Sequence, residues 1–499
     1  MRDVHADVVV IGSGAGGGTV AERLAPLARA GKRVLVLEQG PRLDDHEFTG
    51  NEIDMGPALF EDAGGFLTAE GTMTLAIGRA YGGSTVVYTG VSLVAPERVI
   101  QGWQVPALTY TDVQQRALRY ARDNNVHLLP DDAINENNRL FVEGCTAAGY
   151  ACHQFPVNVA GCLGSGLCNL GCPNGAKQGT NRVQLPHAEA AGVEVVTRAT
   201  ARRIEERAVV LDVSPKEAHM KGRPSEWEPG TYRVHAATIV VAGGAVGSSA
   251  LLLRSGFGAQ LPRLGRDFTC HPAFILVGEH DRPITNDVGH PKSFYLDRAE
   301  TDGYVLETCM YFPFTTAKNL TSFGPPHSAL MHAFPRLQMI LVLACDKRVP
   351  ENRITIDRAG KPVVHYRFTD AVVERLVAAT RTAAEIFFAA GALRVHAPPA
   401  NPPLLERDEA QHIASRIRAE HFLPGSVAVA AAHMMGGCAM GHDATDSVTD
   451  AWGRVHGVPW LRVADASLFP DSVEINPYLT IMALADRVAE GILEDRDRI

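Results

Sequence analysis

Long apolar runs are missing from this sequence. The nearest approach, ATIVVAGGAVGSSALLL, is broken by Gly and Ser and falls short of the roughly eighteen residues a membrane-spanning helix needs. No basic segment followed by an apolar one precedes the strand pattern in MRDVHADVVVIGSG, so no secretory leader and a cytoplasmic location are expected. Positive charge is not in excess either. Lys and Arg number 47 against 56 Asp and Glu, and the formal net charge of -9 argues against a nucleic-acid partner while mildly favouring a cationic small molecule. Cysteine is scarce, with nine residues, and in a reducing compartment structural disulfides are not its expected use. No internal repeat or low-complexity tract is present.

What remains is a globular composition: 46% hydrophobic, 21% charged, and 47 glycines in 499 residues. That length predicts two structural units, and the glycines suggest tight turns and close approach of backbone to ligand. ADVVVIGSGAGGGTVAERLAPLARAGKRVLVLEQG reads as strand, turn, helix, strand. Val8 to Ile11 form the continuous apolar run of a parallel strand covered on both faces. Gly12, Gly14 and Gly17 then make G-x-G-x-x-G. The first permits the turn, the second lets a pyrophosphate approach the backbone, and the third lets helix and strand pack closely. The helix N-terminus offers free N–H groups to phosphate. The second strand ends in Glu38, placed to accept hydrogen bonds from a ribose and to repel a 2'-phosphate. A dinucleotide site follows, and this motif alone does not separate FAD from NAD.

Further along, LRVADASLFP reads as a short strand followed by Asp465, Ala466 and other small residues suited to backbone contact with a pyrophosphate or ribityl chain. NPYLTIMALADRVAEGIL opens with Asn476 and Pro477 and has helical spacing through Ile481, Leu484 and Val488. Its first turn could stabilise negative charge on a reduced flavin. These segments, with GRAYGGSTVVYTG (78–90, holding Gly82, Gly83 and Ser84), AGGAVGSSALLLRSG (242–256, opening on Ala242) and HMMGGCAMG (433–441), resemble the glucose-methanol-choline (GMC) family of flavin-dependent alcohol oxidoreductases. The resemblance covers both ends and the middle of the chain, in the family's order.

It implies FAD as cofactor and an α/β fold, with a Rossmann-like FAD-binding domain interleaved with an α+β substrate domain built on an antiparallel sheet. It also maps the family's flavin-facing pair onto His433 and Asn476. A neutral imidazole, of reference pKa about 6.5, can take the alcohol proton while hydride leaves carbon for the flavin. Asn476 would hold the alcohol oxygen. His271, His442 and His456 lack such support and read as turn or structural histidines. The chain departs from the family in having Met434 after the histidine, where many members have Pro, and Gly437 where they have Thr. Tyr88 stands where many carry Asn, and Val87 matches the histidine of members with covalent flavin, so non-covalent FAD is expected.

The implied layout is an FAD-binding domain of 1–115, 180–275 and 425–499, a cysteine-containing insert at 116–179 and a substrate domain at 276–424. MHAFPRLQMILVLACDK and VVHYRFT read as strands of a cavity wall, and DAVVERLVAATRTAAEIFFAAGA (370–392) as an amphipathic helix. HAPPANPPLLERDE reads as a Pro-rich loop bordering the site.

Cys162, Cys168 and Cys172 fall within eleven positions, followed by Pro173. Four readings stay open: a disulfide with a spare thiol, a structural zinc site completed by Cys152 or His153, three unrelated thiols, or an iron–sulfur cluster. The segment GLCNLGCPNGAKQGT resembles the insert of a GMC branch whose sugar dehydrogenases carry a three-iron cluster, and also that of long-chain alcohol oxidases, which are not assigned one. A [3Fe-4S] cluster would pass electrons to an external acceptor, and its absence would return oxygen to that role. The expected reaction is oxidation of a primary or secondary alcohol, of sugar or amino-sugar type as in aminoglycoside 6'-dehydrogenases, to aldehyde or ketone. The alternatives are an oxygen-using alcohol or sterol oxidase of the same family, an NAD-dependent dehydrogenase, and a non-catalytic flavin-binding scaffold. The partners expected are a small-molecule alcohol and an electron acceptor, with no nucleic acid and no membrane.

Overall fold

The computed structural model describes residues 1–285, 287–320, 322–397, 404–422 and 425–495. The first strand, Arg2–Ile11, lies at the centre of an eight-stranded sheet, between Val34–Leu37 and Gly230–Val241. Both neighbours run parallel to it, with Val9 opposite Leu35 on one side and Ile239 on the other. Glu194–Val196 and Val458–Val463 extend the parallel order outward. Val8, Val9, Val10 and Leu35 are wholly buried, as strands covered on both faces require. The strand order reverses direction at the first strand, so a crevice opens beyond the carboxyl ends of the strands. Gly12, Glu38, Ala242 and Ala464 stand at those ends.

A second sheet of nine strands is mostly antiparallel. Its middle runs Ala273–Glu279, Leu337–Ala344, Tyr304–Thr308 and Phe294–Arg298. The helix Asp370–Ala389 covers one face, burying Leu376, Ile386 and Phe387. Thr369 caps it, its hydroxyl accepting the Val372 N–H at 3.3 Å. The second sheet also takes in Met73–Leu75, His153–Gln154 and Val429–Ala431, so widely separated parts of the chain join it.

One expected wall strand lies elsewhere. Leu337–Ala344 is central, but the start of VVHYRFT belongs to the strand Pro362–His365, which among the described residues pairs only with Arg353–Ile356, in a separate hairpin beside the helix Gly244–Arg254. Alternation of apolar residues sets a strand's faces but not its partner. Of the Pro-rich segment, 398–403 lie outside the described residues, while His396 and Leu404–Glu406 on either side are strand residues paired antiparallel in the second sheet. Among the described residues, no helix is long and apolar enough to cross a membrane.

Candidate active site

The cradle at the strand ends is built by close packing. Gly12 adopts φ +103°, and a Cβ there would lie 2.3 Å from the Ala242 carbonyl oxygen. A Cβ on Gly17 would lie 2.0 Å from the Gly12 carbonyl oxygen, so helix and strand touch through hydrogen alone. Gly14 is different. A Cβ there would meet protein only at 3.7 Å, at Gly83 Cα, so no protein atom demands a glycine and the position is open to a ligand. Gly82, in the left-handed region, and the turn Gly83–Val86 form the facing rim, and Ser84 on that turn is exposed.

Glu38 is buried, and its carboxylate pins the turn. Ser13 donates to Oε2 from both backbone N–H (3.0 Å) and Oγ (2.6 Å), while the Gly40 N–H donates to Oε1 (2.7 Å). Gly82 N–H donates to Ser13 Oγ at 2.9 Å, joining the two rims through a serine that motif reading passed over. Burial pushes the Glu38 carboxyl up, against these donors. Asp465 plays the matching part across the crevice. Its Oδ2 accepts from Gly244 N–H (2.9 Å) and Ser248 Oγ (2.5 Å), and its Oδ1 from Ser467 N–H (2.8 Å). An open glycine at a helix N-terminus fits a pyrophosphate, and a buried carboxylate at a strand end fits the hydroxyls of a ribose.

His433 is stitched to this cradle. Downstream of it, Gly436 N–H donates to the Ala466 carbonyl (3.0 Å) and Cys438 N–H to that of Ser467 (2.9 Å). Upstream of Ala273–Glu279, Thr269 and Met435 exchange reciprocal backbone hydrogen bonds at 2.9 Å in an antiparallel bridge. Two positions along each segment, His271 and His433 are therefore opposed and project to the same side. Their Nδ1 atoms lie 3.0 Å apart. His271 Nε2 lies 2.8 Å from Ser472 Oγ, and Asn476 Nδ2 lies 3.3 Å from His433 Nε2. Pro477 caps the final helix, Tyr478–Glu494.

Burial pushes the His433 imidazole down to about 3, helped by the positive charge of Lys292. Burial, and then His433, pushes His271 well below the ordinary imidazole value. Both rings are neutral near pH 7. Lys292 forms a buried ion pair with Glu307, and His290, held to about 4 chiefly by burial, lies 2.9 Å through Nε2 from the Thr89 carbonyl.

The cysteine segment is tied to the rim by another residue that motif reading passed over. Lys177 is buried, and its Nζ donates to the carbonyls of Val86 (2.6 Å), Tyr88 (2.8 Å) and Cys168 (2.5 Å). Burial lowers its ammonium to about 8. Cys162 is exposed and Cys168 and Cys172 are half-buried; burial, and then the neighbouring Cys162 and Cys172, push the Cys168 thiol up to about 11. Among the described residues, no three Cys, His, Asp or Glu side chains are grouped to hold a metal. A three-iron cluster needs three thiolates converging on it; the three thiols lie near enough for Cys162 and Cys172 to bear on Cys168, without forming such a group. Tyr88 also places its ring 5.4 Å from Lys177 Nζ. Its Oη accepts from Asn158 Nδ2, and its ring lies 5.0 Å from that of Tyr478.

Comparison with known proteins agrees with this geometry. Family models described as GMC oxidoreductase match residues 57–273 and 349–485, and one described as an NAD(P)-binding Rossmann-like domain matches 10–67. An uncharacterized GMC-type oxidoreductase of Mycobacterium tuberculosis is 33% identical over 494 residues, covering 97% of this chain and 75% of its own. A long-chain-alcohol oxidase of Arabidopsis thaliana is 27% identical, covering 98% of this chain and 68% of its own. A 6'''-hydroxyparomomycin C oxidase of Streptomyces lividus is 28% identical, covering 97% and 91%. The solved structure of a formate oxidase of Aspergillus oryzae superposes with a TM-score of 0.72 over the whole of both chains at 13% identity, a likeness of fold.

Proposed function

The chain belongs to the GMC oxidoreductase family, whose members use FAD to act on CH–OH groups, and from that premise we propose that it oxidises a primary or secondary alcohol of sugar or amino-sugar type to the aldehyde or ketone. The observation that carries this reading is the half-buried, neutral His433 with the buried Asn476 beside its Nε2.

FAD would be held by Gly12, Gly14 and Gly17 with the first helix, by Gly82, Gly83 and Ser84 opposite, and by Glu38, Ala242, Asp465, Ala466 and Pro477 around the crevice. When bound, the flavin supplies the acceptor for the hydride. Val87 offers no nitrogen for a covalent link, so the flavin is held non-covalently. The segments 1–115, 180–275 and 425–499 are assigned to this FAD-binding domain, 116–179 to the insert and 276–424 to the substrate domain.

His433 Nε2 takes the hydroxyl proton, which requires the neutral imidazole that burial secures. Asn476 Nδ2 donates to the substrate oxygen and fixes the carbinol carbon against the flavin side of the site. The buried Lys292–Glu307 ion pair satisfies its own charges and bears on the histidine pair, Lys292 on His433 and Glu307 on His271. The relative named for 6'''-hydroxyparomomycin C supports an amino sugar. The acceptor is oxygen or an external electron carrier, and no step passes through a cluster. A reducing, cytoplasmic setting belongs to this reading, as expected from the sequence.

The test is anaerobic flavin bleaching by paromomycin, D-glucose and 1-dodecanol, followed by reoxidation with air or a dye. Bleaching by paromomycin or glucose supports the reading. Bleaching by dodecanol alone would move the substrate to long-chain alcohols, and a colourless protein would overturn the flavin assignment.

A further inference from the structure

We propose that His271 is a positioning residue that locks His433 in the tautomer with its proton on Nδ1, leaving Nε2 free to accept the substrate proton. The inference rests on the reading of His433 as base and adds a residue to it.

Hydrogen-bond logic assigns every proton in the chain. Asn476 Nδ2 carries hydrogens and no accepting lone pair, so toward His433 Nε2 it donates. Nε2 is then unprotonated, and neutral His433 carries its hydrogen on Nδ1. That N–H points at His271 Nδ1, 3.0 Å away, which must accept. Neutral His271 therefore carries its hydrogen on Nε2 and donates to Ser472 Oγ at 2.8 Å. The serine oxygen also accepts the Glu474 N–H at 3.3 Å. With the Asn476 amide turned as it stands, Nδ2 toward His433, this one orientation satisfies all four groups; turning the amide end for end would reverse every donor, and the 15N pattern below distinguishes the two.

The loop supplying both ends of the chain is held rigid. Ser472 and Asn476 flank Glu474, whose φ of +64° is a conformation an L side chain adopts only under constraint. Glu474 is clamped by Lys347 at 2.8 Å and Arg98 at 2.5 Å. The same short loop thus presents the serine to one histidine and the asparagine to the other. Besides His433, the charges bearing on His271 are Glu307, Glu474 and Lys347, and Lys292 bears on His433. The two signs oppose each other around a pair of neutral rings.

The test compares His271→Asn, His271→Leu and Ser472→Ala with wild type in two ways. Asn places an acceptor oxygen near the position of Nδ1, whereas Leu fills similar space without one. In the flavin-loaded protein labelled with 15N-histidine, with His433 signals identified by their loss in His433→Ala, wild type shows a protonated Nδ1 and bare Nε2. Asn preserves that pattern, and Leu mixes the tautomers. With the alcohol that bleaches wild type, His271→Leu lowers the limiting rate of flavin reduction roughly tenfold or more with little change in half-saturation, and His271→Asn stays within about threefold. Ser472→Ala falls between them. Equal rates and equal 15N patterns for Leu, Asn and wild type would overturn the positioning role while leaving His433 as base. An unchanged rate in His433→Ala would instead overturn the reading beneath it.

Discussion

Asn476 Nδ2 stands 3.3 Å from His433 Nε2, at the one ring nitrogen that the neighbouring histidine leaves free. A substrate hydroxyl entering there meets a donor and an acceptor side by side. Removing either should separate chemistry from cofactor binding.

His433→Ala should retain FAD, because its contacts to the cradle are those of the backbone beyond it. Flavin reduction by alcohol should slow at least tenfold, within the ~10²–10⁴-fold range of a positioned base. Stopped-flow bleaching at saturating alcohol measures this, with the flavin content read from the same spectrum.

Gly14→Ala and Gly17→Ala should fail in different ways. The Gly14 methyl meets protein only at ordinary contact distance, so the apoprotein should fold and melt as wild type while FAD binding weakens. The Gly17 methyl would sit 2.0 Å from a backbone carbonyl oxygen, so that variant should lose stability with or without FAD. Thermal melts of apo and FAD-loaded protein distinguish the two.

The parts of this molecule legible in sequence are those set by local pattern. Val8–Ile11 and Val34–Leu37 read as parallel strands because both faces are covered and every position is apolar. The final helix, Tyr478–Glu494, begins where Asn476 and Pro477 signal it. His271 was not legible, since its importance comes from the bridge between Thr269 and Met435 and from a partner 162 positions away. Ser13 and Lys177 were hidden for the same reason: a serine inside a glycine motif and a lysine after a turn show nothing of the carbonyls and carboxylate they reach. The cysteines give the converse lesson. Their spacing suggests a cluster, but among the described residues no metal-holding group of three side chains is assembled, with Cys162 exposed and Cys168 and Cys172 half-buried. Anaerobically purified protein should therefore show flavin bands with substoichiometric iron and sulfide, and Cys162→Ser should leave flavin content and bleaching unchanged.

Lys177→Met should cost stability without touching the reacting atoms. The variant keeps the length of the side chain but removes the donor shared by the Val86, Tyr88 and Cys168 carbonyls. Leaving a buried acceptor without a partner costs about 1–3 kcal/mol each, so the melting temperature should fall by several degrees. Because Val86 and Tyr88 belong to the segment following Gly83, FAD should also dissociate faster, which dilution from the holoprotein measures by recovery of flavin fluorescence.

Acid should destabilise the fold before it protonates the base. His433 and His290 titrate at about 3 and about 4 in the folded protein, against 6.5 when exposed, and His271 is shifted the same way. Below 6.5 the unfolded chain binds protons that the folded chain refuses, so stability falls as pH drops toward 4 and is fully present only above 6.5. Each such histidine contributes a slope of about 1.4 kcal/mol per pH unit within that window. Denaturant melts at pH 7 and pH 5 should show the loss, and His290→Gln, which removes one titrating group, should shrink it. Over the same range the rate constant for flavin reduction in the surviving folded protein should stay flat, because His433 remains neutral until far lower pH. A rate falling with an apparent pKa near 6.5 would mean that water reaches the imidazole and that its burial does not persist in the working enzyme.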